Sequence, residues 1–93
     1  MQASLKSVCE DAMRQPSVVG VACVDAQGLC LLSQGEVPEA MSGAIAELAC
    51  QASVLCSGDD GAVVTVETTE RRVLLSRSAG VTTALFMHPA SKA

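Results

Sequence analysis

The stretch Pro16-Ser17-Val18-Val19-Gly20-Val21-Ala22-Cys23-Val24-Asp25-Ala26-Gln27-Gly28-Leu29 governs how the rest of the chain is read. From Val18 to Val24 every position is apolar or glycine, without the in–out alternation of a half-solvated strand. Such a run reads as a strand apolar on both faces, sitting centrally in a sheet that is covered on each side. Asp25-Ala26-Gln27-Gly28 supplies a hairpin turn, with Gly28 able to take the positive φ. Leu29-Cys30-Leu31-Leu32-Ser33 returns as a second strand. With a four-residue loop, Cys23 and Cys30 face each other across the hairpin, and a disulfide there is conceivable.

Upstream of the hairpin, Leu5, Val8, Cys9, Ala12 and Met13 follow helical spacing, with Ser4 placed to cap the helix and Pro16 to end it. Downstream, Gly35-Glu36-Val37-Pro38 breaks the sheet and Glu39 to Ser57 reads as the main helix. Its early acidic residues suit the positive end of the helix dipole. Gly58 is placed to terminate it, and Asp59-Asp60-Gly61 reads as a loop. Three strands follow, 62–68, 72–76 and 81–87, joined by turns short enough for antiparallel hairpins. Residues 89–93 read as a polar tail. Helix, hairpin, long helix and meander together predict an α+β fold on a five-stranded antiparallel sheet.

The 93 residues make one domain, 1–93, which at this size buries only about 60–65% of its unfolded surface. Yet 49% of the chain is hydrophobic and the mean hydropathy is +0.39. That excess predicts exposed apolar patches of the kind that mark partner surfaces. A net charge of −4 argues against nucleic acid, and a single aromatic residue, Phe86, gives no platform for stacking bases. The start lacks the order of a signal peptide, Gln2 is no myristoyl acceptor, the ending is no prenylation box, and no apolar run approaches the roughly 20 residues of a bilayer span. Any membrane location is therefore expected to be borrowed from a partner.

The residues offer little chemistry. His88, the only histidine, stands beside Pro89 near the end and reads as a surface residue. There is no G-x-S-x-G elbow and no glycine-rich phosphate loop followed by lysine. In Gly58-Asp59-Asp60-Gly61 the two aspartates would repel a phosphate, and two carboxylates without further ligands read as a solvated loop rather than a cation site. Cys9, Cys23, Cys30, Cys50 and Cys56 show no C-x-x-C spacing and read as reduced, buried, small hydrophobes of a cytosolic protein. No catalytic, metal-ligating or cofactor-binding residue is expected.

The main helix is more informative. At about 100° per residue, Met41, Ala44, Ile45, Leu48, Ala52, Leu55 and Cys56 fall on one side, read as the core face. The other side holds Ser42, Gly43, Ala46, Glu47, Cys50, Ser53, Val54 and Ser57, and Glu47 is the only charge between Ala40 and Ser57. Small residues allow a second helix to approach closely. Gly43, Ala46, Glu47, Cys50, Ser53 and Val54 are therefore the expected contacts with a partner. Val63, Val64, Thr65 and Val66 are expected to add a valine-rich sheet edge open to pairing.

The hairpin segment quoted above, with Glu10-Asp11-Ala12-Met13 before it and Gly80-Val81-Thr82-Thr83-Ala84-Leu85 near the end, resembles the roadblock family. Gly43, Ile45, Leu48, Ala49, Gln51 and Ala52 support the likeness, which runs from Leu5 to Met87. It is strongest to the family's Ragulator subunits. The resemblance implies a roadblock/longin/profilin-like sheet with the long helix on one face and the short N-terminal helix on the other. It implies a heterodimer with another roadblock subunit through the long helix and the strand after it, joining two sheets into one; a homodimer is possible for the isolated chain. It further implies a non-enzymatic scaffold that works with other Ragulator subunits and Rag GTPases at the lysosomal surface, in amino-acid-dependent TOR signalling. The membrane anchor would belong to another, lipidated subunit. A roadblock light chain of a motor or other GTPase-linked complex is the alternative within the fold, and a profilin-like ligand-sensing domain is the third.

Overall fold

The computed structural model describes residues 2–38, 40–56 and 62–89, with side chains from Leu5 onward. The elements are α1 (Gln2–Met13), β1 (Val18–Val24), β2 (Cys30–Gly35), α2 (Ser42–Leu55), β3 (Val63–Glu67), β4 (Arg72–Ser78) and β5 (Val81–Met87). The strands form one antiparallel sheet in the order β2-β1-β5-β4-β3. β1 lies between β2 and β5, and six of its seven residues are buried, as its uniform apolarity requires.

Two cores lie on opposite faces of the sheet. Ile45 of α2 packs with Ala22, Val24, Leu75, Ala84 and Phe86. Cys9 of α1 packs with Val21 and Cys23, flanked by Leu5, Ala12, Met13, Leu32, Val81 and Leu85. Alternate residues of β1 thus feed the two cores, which is why the strand has no polar side. Phe86 is buried as the largest core side chain.

Several local details depart from the sequence reading. α1 begins at Gln2, so Ser4 lies inside its first turn rather than at its cap. The β1–β2 loop is longer than four residues. The Asp25 carboxylate accepts hydrogen bonds from the backbone N–H groups of Gln27 and Leu29, both at 2.9 Å, and Gly28 turns the chain with a φ of 89°. The added length shifts the register, so Val24 opposes Cys30 and Cys23 opposes Leu32. Cys23 and Cys30 therefore do not face each other. Cys30, Cys50 and Cys56 are exposed, against the expectation of five buried thiols; only Cys9 and Cys23 are buried.

Gly35, with a φ of 77°, ends β2 and swings the chain so that the Glu36 N–H donates to the Val19 carbonyl at 2.8 Å. A side chain at Gly20 would run into the Glu36 backbone, so the crossing leaves room only for hydrogen there. α2 starts at Ser42, three residues later than expected, because Ala40 takes a positive φ of 61° that a right-handed helix does not admit. Its first turn consequently holds no acidic residue. The helix ends at Leu55, where the Cys56 N–H donates to the Ala52 and Ser53 carbonyls. Gly58, the Asp59-Asp60-Gly61 loop, Glu39 and Ser57 lie outside the described residues, as does the tail beyond Pro89. β4 runs two residues further than expected, to Ser78, because Ala79 and Gly80 alone make the turn into β5.

Candidate partner interface

α2 lies across β3, β4, β5 and β1, and its buried residues are Ile45 and Ala49. Ser42, Ala46, Ala52 and Ser53 flank that line and are half-buried. The helix sets Ile45 and Ala49 on the sheet with smaller side chains beside them, and leaves several of its larger ones exposed. Leu48, Val54 and Leu55 are 44%, 66% and 86% exposed.

This rotation redistributes the residues expected at a partner surface. Gly43, Glu47, Cys50 and Val54 are on the exposed back, as expected. Ala46 and Ser53 are turned toward the sheet instead, and Ala46 packs against the core around Ile45. Leu55, expected on the core side, stands in solvent, while Leu48 and Ala44 are more exposed than expected but still line the cleft between α2 and the sheet. The physical reason is that α2 carries apolar residues on every side, with Glu47 its only charge, so hydrophobic spacing alone does not fix its rotation.

The one polar feature of the exposed back is local. The Gln51 side-chain amide donates to the Glu47 carboxylate at 3.0 Å, one turn away. Near the helix start, the β1–β2 loop comes close: a side chain at Gly28 would lie 3.3 Å from the Gly43 Cα.

β3 is an edge strand, paired only with β4. Its register places Val64 and Val66 opposite Leu75 and Val73, on the α2 face, and Val63 and Thr65 opposite Ser76 and Leu74, on the other. Val63 and Val66 are 59% and 42% exposed, and Thr65 is exposed while Val64 is half-buried. Leu48 and Val66 line one apolar cleft of about 110 Å³ between α2 and the sheet, floored by Val73, Leu75 and Phe86. One flank of α2 and the α2 face of β3 therefore meet at this cleft, through Leu48 and Val66. Both backbone hydrogen-bonding capacity and greasy side chains are available along it.

Among the described residues, no group of three or more His, Cys, Asp or Glu is placed to hold a metal. No helix among them is long and apolar enough to cross a membrane. A second cleft, of about 170 Å³, lies under the chain between β2 and α2, where Val24, Val37, Met41 and Ile45 line it together with Ser33 and Ser42.

Comparison with known proteins gives a consistent result. The family model of "Ragulator complex protein LAMTOR5" matches residues 1–87. The Ragulator complex protein LAMTOR5 of Xenopus tropicalis is 36% identical over 86 residues, covering 91% of this chain and 94% of that protein. The LAMTOR5 homolog of Nematostella vectensis is 32% identical, covering 96% of this chain and 99% of that protein. In fold, the chain is similar to a Roadblock/LC7 domain from Streptomyces avermitilis, with a TM-score of 0.73 at 18% identity, covering 88% of this chain and 76% of that one. It is similar also to Myxococcus xanthus MglB, with a TM-score of 0.75 at 13% identity, covering 91% and 76%. A roadblock architecture, together with sequence likeness along nearly the whole chain, places this protein in the LAMTOR5 family of Ragulator complex subunits.

Proposed function

We propose that this chain is a non-enzymatic scaffold subunit that pairs with a second roadblock domain through the back of α2 and the free edge of β3. The observation that carries the reading is the set of exposed Leu48, Val54, Leu55, Val63 and Val66 on α2 and on β3, a strand with one free edge. A partner presenting the same two elements would extend the sheet edge to edge and lay helix against helix. Gly43, Glu47, Cys50, Val54, Val63, Thr65 and Val66 contact it, joined by Ala44, Leu48 and Leu55; Ala46, Ser53 and Val64 support the surface from beneath.

In this reading the pair forms part of a Ragulator complex that recruits and helps activate Rag GTPases at the lysosomal surface, serving amino-acid-dependent TOR signalling. Family membership supports that assignment, and the lipid anchor is supplied by another subunit. The test mixes the purified chain with a purified Ragulator roadblock subunit and measures mass by light scattering. A 1:1 heterodimer is expected, and Val54→Arg, which sets a charge into the desolvated contact, is expected to abolish it with the fold intact. Failure of the unaltered chain to pair, or full pairing by Val54→Arg, would contradict the proposal.

A further inference from the structure

α1 and β1 bring two thiols together beneath the helix. The Sγ atoms of Cys9 and Cys23 are 3.7 Å apart, both residues are fully buried, and neither is bonded to another cysteine. One thiol belongs to an interior strand, the other to a helix that touches only β1 and β2 to an appreciable extent. We propose that Cys9 and Cys23 are a reversible disulfide site that staples α1 to β1 when a hydroperoxide oxidises the pair.

The geometry is close to what the bond needs. An S–S bond is about 2.05 Å long, so the sulfurs, now 3.7 Å apart, must approach by roughly 1.7 Å. Access is the limiting step. In the closed domain neither sulfur meets solvent, and burial together with the neighbouring Cys23 thiol pushes the Cys9 pKa up to about 12. A thiol with that value is ionised to about one part in 10⁵ at pH 7, against a few per cent for an ordinary cysteine. Oxidation therefore proceeds through lifting of α1. That opening is feasible because Cys9 is the one fully buried residue of the helix among those described, and Leu5, Ala12 and Met13 beside it are only half-buried.

The steps balance. In the lifted state the Cys9 thiolate attacks the peroxide oxygen, the O–O bond breaks, and the leaving oxygen takes a proton as water or an alcohol. Cys9 is left as a sulfenic acid. On reclosing, Cys23 sulfur attacks the Cys9 sulfur, and the sulfenic hydroxyl leaves with the Cys23 proton as water. Two thiols are oxidised and one peroxide is reduced. The exposed Cys30, Cys50 and Cys56 have no part in it.

The experiment exposes the chain carrying Cys30→Ser, Cys50→Ser and Cys56→Ser to graded hydrogen peroxide, and repeats it on the unaltered chain. The expected product is lighter by two hydrogen masses, loses both thiols together and yields a Cys9–Cys23 linked peptide. Dithiothreitol restores it, and amide exchange across residues 5–13 slows by about tenfold or more in the oxidised form, because the staple suppresses opening. In Cys9→Ala, Cys23 is expected to remain a free thiol at the same dose. Free recovery of both thiols once a reference thiol is consumed would overturn the proposal. So would sulfinic acid without a cross-link, or Cys23 joined to Cys30 in the unaltered chain. If Cys9→Ala does not fold, the peptide map of the other two proteins still decides.

Discussion

Cys9 shows how a single buried group ties stability to solution conditions. Its thiol has an ordinary value of 9.0 when exposed and about 12 in the fold, chiefly because burial penalises the thiolate. Below about pH 9 both states keep the proton and the neutral thiol's contribution is complete. Above it the unfolded chain ionises first, so stability is expected to fall as pH rises from about 9 toward 12. Urea midpoints at pH 7 and pH 10 check this, and Cys9→Ala should flatten the difference. Ala79 makes a separate point. It holds a φ of 53° beside Gly80 in the β4–β5 turn, a geometry that asparagine adopts more cheaply than alanine. Ala79→Asn is expected to raise stability by about 0.5–1 kcal/mol, read from the same urea midpoints. Neither feature was legible in the sequence. The Cys9–Cys23 approach depends on how α1 lies on the sheet, and Arg77-Ser78-Ala79-Gly80 read as a four-residue loop because Arg77 and Ser78 are polar, although they extend β4.

Among the elements, the strands were the most legible. Val18–Val24 and Val81–Met87 form where their apolar runs lie, since extended backbone needs only sustained β-branched and apolar content between turns. The helices were less so at their ends and faces. Ala40's positive φ delays α2 to Ser42, and nothing in an alanine announces that conformation. The rotation of α2 was misjudged for a physical reason: with Glu47 its only charge and hydrophobic residues on every side, the helix has no polar stripe to mark solvent. Leu55 is consequently outward, Leu48 sits partly exposed at the cleft beside β3, and Ala46 is inward. The corrected rotation makes Ala46→Arg and Val54→Arg different experiments. Ala46→Arg forces a long cation against the Ile45 core and is expected to cost the isolated domain about 1–3 kcal/mol. Val54→Arg is expected to stay within about 0.5 kcal/mol in the same chemical denaturation.

For the whole molecule, much of the apolar excess of the composition lies on α2 and β3. The five-stranded sheet uses its interior residues on two faces, one under α1 and one under α2, and still leaves Leu48, Val54, Leu55, Val63 and Val66 exposed there, with Val8 and Leu29 exposed elsewhere. That the sheet's last strands form a meander with β3 outermost was readable from the short turns between 62 and 87. That β3 meets α2 at Leu48 was not, because it depends on the helix rotation. The companion we propose for this surface is a second roadblock domain docked on it. Amide hydrogen exchange of the chain, alone and in excess of a purified Ragulator roadblock subunit, tests this most directly. The account predicts that added protection concentrates in residues 43–55 and 63–67. Protection confined to α1 and β2, with β3 exchanging as fast as in the free chain, would contradict it.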